Sequence, residues 1–258
     1  MAEVQRPTRS LAGRVAIVTG AGSKGDGIGN GRAAAILLAE ARASVVCVDL
    51  SEADAARTAE IIQEEGKGKA IAVTVDVTKE DQCKSVVEKC VAEYGRLDIL
   101  VNNVGIMGPK GNATTVEMDE WDVGMRVNVN SMVMMVKYSV PYMEKNEGQC
   151  RGSIVNLASV AGLRGGTPSL LYPTSKGAIV NMTRAMASHH ASQGIRVNCV
   201  CPGMLYTPMM YGGGMSEEQR EARKSRSLLR TEGNGWDCGS AVRFLASDEA
   251  RSVSSTLS

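Results

Sequence analysis

Short apolar runs recur along this chain, and each is followed by a longer stretch whose apolar residues fall three or four apart. The runs are VAIVT from Val15, VVCVD from Val45, AIAVTV from Ala70, DILVNN from Asp98, SIVNLAS from Ser153 and IRVNCV from Ile195. Continuous apolar runs of this length are strands buried on both faces. The stretches between them, NGRAAAILLAEARA from Asn30, SEADAARTAEIIQEEG from Ser51 and KEDQCKSVVEKCVAEYG from Lys79, carry helical spacing. Ser51 and Gly66 are start and stop signals for the second of these helices. Strand and helix in alternation predict an α/β fold: one doubly wound, Rossmann-type parallel sheet with helices on both faces. Residues 1–10 read as a loose tail and 11–258 as the single domain, with no linker or low-complexity segment dividing it.

Between the first strand and the first helix lies TGAGSKGDGIG, from Thr19 to Gly29. A glycine-rich turn in this position lets the backbone approach a pyrophosphate, whose charge then sits at the helix N-terminus. Lys24-Gly25-Asp26 reads as an insertion that lengthens the loop ahead of Gly27-Ile28-Gly29 and keeps the helix start. Asp49 ends the next strand, 20 residues after Gly29. A carboxylate there accepts hydrogen bonds from ribose hydroxyls and repels a 2′-phosphate, which favours NAD over NADP. Asp26 adds to that negative charge, and Lys24 and Arg14 are the cations placed to offset it.

Composition narrows the rest. Basic and acidic residues balance at 29 and 28, without long blocks of one sign, so neither nucleic acid nor an anionic membrane is the expected partner. Apolar residues make up 43% but aromatics only 3%, which suits helices packed on a sheet through Ala, Val, Ile, Leu and Met. No apolar run approaches the roughly 18 residues of a membrane span. A soluble, cytoplasmic protein is expected. The seven Cys are scattered without a C-x-x-C and read as reduced thiols; Cys199 and Cys201 would face one side of a strand. His189 and His190 are adjacent on a helix and diverge, so no metal site is expected.

The segment Tyr172-Pro173-Thr174-Ser175-Lys176 puts Tyr and Lys four apart, on one helix face. A free phenol, with a pKa of about 10, transfers protons poorly at neutral pH, and an adjacent ammonium lowers that value. Ser159 lies 13 residues before Tyr172 at the end of a strand, the edge where open parallel sheets place ligands. Asn128 sits in RVNVN, and DILVNNVG ends another strand in a glycine turn.

With these motifs in this order, from about Arg14 to Glu249, the chain resembles the classical short-chain dehydrogenase/reductase family. The resemblance implies hydride transfer between nicotinamide and a secondary alcohol or ketone. Tyr172 would be the general acid/base. Lys176 would bind the nicotinamide ribose and lower the phenol's pKa, Ser159 would hold the substrate oxygen, and Asn128 would hold a relay water. Around the cofactor, Gly20, Gly27, Ile28 and Gly29 would line the pyrophosphate, with Ser23 in the same glycine loop, Asp49 and Leu50 at the ribose, and Asp76 and Val77 beside the adenine. Asn102, Asn103 and Gly105 would pass along it, and Pro202, Gly203, Leu205 and Thr207 would meet the carboxamide. The implied cofactor is NAD, with NADP as the alternative.

Residues 204–230, including MLYTPMMYGGGM, resemble the family's substrate lid and point to a small, apolar alcohol or ketone. SMVMMVKYSVPYM from Ser131 and AIVNMTRAMASHH from Ala178 match helices that pair across a two-fold axis in the family, which implies a homodimer or homotetramer; burial within one chain is the other reading. Two features depart from the pattern. The longer loop is similar to those of enoyl reductases in the same superfamily, whose Tyr and Lys are spaced more widely than four. After ASDEARSV the chain reads Ser254-Ser255-Thr256-Leu257-Ser258 where the family has Thr-Gly, an apolar strand and Asp-Gly-Gly. The terminal strand is therefore in doubt, and with it the cover of the preceding strand's edge. The rival functions are a cofactor-binding regulator that has lost the chemistry, and an epimerase or dehydratase using the same residues.

Overall fold

The computed structural model describes residues 6–256. Six strands form one parallel sheet: β1 (Val15–Thr19), β2 (Ser44–Asp49), β3 (Lys69–Thr74), β4 (Ile99–Asn102), β5 (Gly152–Leu157) and β6 (Ile195–Val200). Their spatial order is β3-β2-β1-β4-β5-β6. The order reverses between β1 and β4, which creates a crevice outside their carboxyl ends. All six expected strands are present, with ends moved by a residue or two.

Helices cover both faces. On one side α1 (Asn30–Glu40), α2 (Glu52–Glu65) and α9 (Gly235–Ala246) bury Ile36, Leu38, Ile62, Val242 and Leu245 against Val18, Val45 and Val101. On the other, α3 (Glu80–Tyr94), α5 (Ser131–Met143) and the end of α6 (Leu171–His190) bury Val86, Val87, Met135, Val140 and Met186 against Ile17, Leu100 and Ile154. Most apolar positions of α5 and α6 are thus consumed within the chain. Ser51 caps α2 by accepting from the Asp54 N–H at 3.3 Å, and Gly66 ends it in the left-handed region at φ 65°. The remaining helices are α4 (Met118–Met125), α7 (Pro208–Tyr211) and α8 (Glu217–Lys224).

Between α4 and α5 the helix widens to i→i+5 hydrogen bonding over Arg126–Asn130. Such a bulge rotates the residues it contains relative to the helix on either side. It places Asn128, fully buried, toward the sheet.

The outer edge of β6 is partly covered. Residues 253–256 run along it: Ser255 N–H donates to Val197 O at 2.8 Å and Cys199 N–H to Thr256 O at 3.0 Å. Two buried polar side chains of β6 hold this segment. Asn198 donates to Val253 O at 2.9 Å and accepts from Thr256, while Arg196 donates to Ser247 O and Val253 O. The terminal-strand position is therefore occupied in part, although no further strand forms among the described residues. Of the expected N-terminal tail, residues 1–5 lie outside those described; Arg9 pairs with Glu249 at 2.9 Å, and Leu11 is buried.

The first turn of α1 comes unusually close to β1. A Cβ on Gly31 would lie 1.9 Å from Gly20 O and 2.5 Å from Asn103 Nδ2, and both neighbours are held by hydrogen bonds. Gly31→Ala is expected to destabilise the fold by about 3 kcal/mol, the upper end of what over-packing costs. Gly165→Ala, where a Cβ would have open space, is the matched control. Urea unfolding with equal midpoints for Gly31→Ala and wild type would contradict the packing described.

Candidate active site

A cleft of about 770 Å³ opens at the carboxyl ends of β1 and β4, at the reversal of strand order. Pockets of this size take cofactors and drug-sized ligands. Many expected site residues line it: Gly20, Ser23, Gly29, Asp49, Leu50, Asp76, Val77, Asn103, Gly105, Tyr172, Lys176 and Thr207.

The glycine loop is shifted from its expected register. Gly29 is the N-cap of α1, and Gly29, Asn30 and Gly31 line the cleft, whereas Gly27 and Ile28 do not. A Cβ on Gly27 would meet Pro208 and the Tyr211 hydroxyl of α7, and the Ile28 carbonyl faces Gly235 of α9. The glycine that permits close helix–strand packing is Gly31, which the sequence reading did not single out. The loop is correspondingly longer than an insertion of Lys24-Gly25-Asp26 alone.

What fixes so long a loop is Arg32, which the sequence reading passed over. Its side chain is wholly buried. Nη1 donates to Gly25 O at 2.5 Å and Gly27 O at 2.8 Å, Nη2 to Ser23 O at 2.8 Å, and Nε to Thr58 Oγ1 at 3.0 Å. Thr58 in turn donates to Ala21 O at 2.8 Å. Burial lowers the Arg32 pKa, and Asp54, Asp26 and Asp49 oppose that shift. On the far side of the loop Asp26 pairs with Arg57 at 3.3 Å. Arg14 pairs with Asp248 and plays no part in the cleft, so of the two expected offsetting cations only Lys24 lines it.

At the β2 end, Asp49 Oδ2 accepts from Gly22 N–H at 2.9 Å and Oδ1 from Ser51 N–H at 3.1 Å. A Cβ on Gly22 would lie 2.8 Å from the Asp49 carboxyl, so a glycine is needed for this contact. The carboxylate is thus held at the cleft rim with lone pairs to spare. Asp76 is pushed up by burial, but hydrogen bonds from the Thr78 hydroxyl and N–H outweigh this and keep it below its usual range.

Along the floor, Asn103 donates to Gly20 O at 2.8 Å and ties the β4 turn to the glycine loop. Asn102 was expected beside the cofactor but is buried under the sheet edge. Its Nδ2 donates to Asn156 Oδ1 at 2.9 Å, and Asn156 donates to Thr183. Pro202, Gly203 and Leu205 lie outside the cleft lining. Pro202 O accepts from Val160 N–H at 3.1 Å, and Leu205 packs on the core.

At the other end of the cleft, α6 brings Tyr172 and Lys176 to the wall. The loop after β5 reaches them because Gly162 packs directly on the helix backbone; a Cβ there would lie 2.4 Å from the Lys176 carbonyl carbon. This approach sets the Ser159 hydroxyl against the Tyr172 phenol. Lys176 Nζ donates to Leu157 O at 2.8 Å and lies 5.8 Å from the centre of the Tyr172 ring. Burial lowers Lys176 to about 8.

Contrary to the sequence expectation, the Tyr172 phenol is raised in this chain. Burial pushes it up, and the hydrogen bond with Ser159 only partly offsets that. The Asn128 carboxamide is engaged within the chain. Its Nδ2 donates to Ile106 O and Ser175 Oγ, both at 2.9 Å, and its Oδ1 accepts from Ile106 N–H at 2.7 Å. Ser175 donates onward to Tyr172 O at 2.9 Å. The carboxamide thereby braces the β4 loop against the helix carrying Tyr172. Ser175, inside the Tyr-x-x-x-Lys segment, is a link that the motif did not single out.

The chain is similar to known proteins along nearly its whole length. A family model described as enoyl-(acyl carrier protein) reductase matches residues 23–257. The chain is 38% identical over 246 residues to 3-oxoacyl-[acyl-carrier-protein] reductase FabG of Thermotoga maritima, covering 94% of each chain. It is 33% identical to meso-2,3-butanediol dehydrogenase of Serratia marcescens, over 92% of this chain and 88% of that one. Among solved structures, levodione reductase superposes with a TM-score of 0.88 at 28% identity, covering 95% of each chain. A short-chain type dehydrogenase/reductase from Mycobacterium ulcerans also gives 0.88, at 26% identity over 96% of this chain and 88% of that one. Relatives of this kind are oxidoreductases, and sheet order, cleft and full-length similarity agree: the chain belongs to the short-chain dehydrogenase/reductase family.

Proposed function

We propose that this protein interconverts a secondary alcohol and its ketone at the expense of a nicotinamide dinucleotide, with NAD preferred to NADP and Tyr172 as the general acid/base. The observation that carries this reading is that Tyr172 and Lys176 line the same cleft as Asp49, with Ser159 against the Tyr172 phenol. The residues present fit the dinucleotide. Gly29 and Gly31 leave the helix N-terminus open to a pyrophosphate, and Asp49 offers acceptors for ribose hydroxyls. When bound, the cofactor supplies the hydride donor or acceptor.

The chain's own residues handle the proton. A phenol raised by burial is protonated at neutral pH, so in the reducing direction Tyr172 is a ready donor to the carbonyl oxygen, which the Ser159 hydroxyl holds. In the oxidising direction the phenol must first become phenolate, which added positive charge nearby favours. Lys176, at about 8, is mostly protonated at neutral pH and supplies part of that charge. Because its Nζ is anchored on Leu157 O, two of its three N–H bonds stay free for a ribose or a relay water.

Ile106 and Met209 line the cleft and are 40% and 60% exposed, while Met107 and Leu163 stand exposed on the neighbouring loops. Apolar surface of this kind suits a small or medium uncharged substrate. Relatives named for butanediol, hydroxysteroids and levodione point the same way. The four-residue Tyr–Lys spacing favours carbonyl over enoyl reduction. Residues 204–230 serve as the lid. Within them α7 lies over the glycine loop, and α8 props its base, with Arg220 stacked 3.9 Å from the Tyr206 ring and paired to Glu232. Met118, Val123 and Val133 remain exposed on α4 and α5 and are available for pairing in a homodimer or homotetramer.

Tyr172→Phe is expected to abolish turnover of any accepted alcohol while NADH still binds. Unchanged turnover would remove Tyr172 from the acid/base role, whereas NADH binding by a wild type that turns over no alcohol or ketone would favour the reading as a cofactor-binding regulator. A second variant tests the lid. Gly27→Ala would place a Cβ 2.5 Å from Pro208 Cγ and 2.9 Å from the Tyr211 hydroxyl, at a backbone conformation open to alanine. We expect KM for the alcohol to rise about tenfold with NADH affinity little changed; an unaltered KM would separate the lid from the loop.

A further inference from the structure

We infer that Arg32 is a positioning residue for the dinucleotide, acting through the carbonyls of the enlarged glycine loop. The inference rests on the cleft being the cofactor site proposed above.

Arg32 gathers the carbonyls of Ser23, Gly25 and Gly27, and one N–H reaches Asp54 O at 3.5 Å. In a trans peptide the N–H points opposite to the C=O. Turning those three carbonyls inward therefore turns the N–H groups of Lys24, Asp26 and Ile28 outward, away from the guanidinium. A backbone N–H freed in this way can donate to an anion, and of these three residues Lys24 lines the cleft. Ser23 and Lys24, at the start of this arc, line the cleft, as do Gly29, Asn30 and Gly31 just beyond it.

A wholly buried guanidinium that touches only carbonyls and a hydroxyl is costly. Nothing short of its full set of acceptors would hold it there. Lysine offers no planar fork and cannot reach several carbonyls in their present directions.

The test compares Arg32→Met, Arg32→Lys and Thr58→Val with the wild type, using thermal unfolding, NADH titration by fluorescence and steady-state kinetics. In folded Arg32→Met we expect the NADH dissociation constant to rise at least about tenfold, with kcat at saturating NADH within about threefold of wild type. Arg32→Lys should recover only part of this. Thr58→Val leaves the guanidinium in place but removes its Nε partner and the tie to Ala21 O, and should weaken NADH about threefold. If Arg32→Met does not fold, the Lys and Val variants carry the same test. Unchanged NADH affinity in the folded variants, with only the melting temperature lowered, would overturn the inference and leave Arg32 a purely structural residue. Failure of the wild type itself to bind NADH or NADPH would instead remove the proposed function on which the inference stands.

Discussion

The site depends on how closely the first turn of α1 approaches the ends of β1 and β4. Gly31 sits where any side chain would collide with Gly20 O, and Asn103 bridges from β4 to that same carbonyl. Three elements are drawn together in this way at the reversal of strand order. The cleft is the space left beside them. Because the approach consumes the first turn of the helix, the long loop leading into it has no room to pack on the sheet. Arg32 supplies the missing interior, with a charged side chain in place of an apolar one.

The far end of the cleft is built by the same device, backbone brought against backbone. Gly162 lets the β5 loop lie on α6, which sets Ser159 against Tyr172. Leu171, at the start of α6, fits into space left by Gly108 and Gly124, whose Cβ atoms would fall 2.1 and 2.2 Å from its Cδ2. The bracing run Ile106–Asn128–Ser175–Tyr172 then fixes the β4 loop to α6. Burial is the electrostatic consequence. It raises the phenol above its ordinary value and lowers the lysine to about 8, so the lysine gives up its proton before the phenol does.

The strands and most helices were legible in the sequence because their signals are local. An apolar run such as IRVNCV can only be a buried strand in this setting, and Ser51 and Gly66 mark helix ends by their own chemistry. The placement of Tyr172 and Lys176 on one helix was legible from spacing. The glycine register was not, because the loop offers several glycines at similar intervals and only the packing distance at Gly31 selects among them. Arg32 was hidden for a related reason: an arginine in the first turn of a helix reads as a solvated face. The widened turn at Asn128 and the clamp on residues 253–256 by Arg196 and Asn198 arise from tertiary contacts that no window of sequence contains. Asn102 looked like a cofactor residue because it adjoins Asn103, yet strand alternation sends its side chain to Asn156 instead.

The most direct test of this account is titration of the purified protein with NADH and, separately, NADPH, followed by fluorescence or thermal stabilisation. With Asp49 held at the rim by Gly22 and Ser51, the account predicts micromolar NADH binding and NADPH binding weaker by about tenfold or more. No binding of either nucleotide would contradict it. Tighter binding of NADPH would leave the cleft a cofactor site but overturn the role given to Asp49.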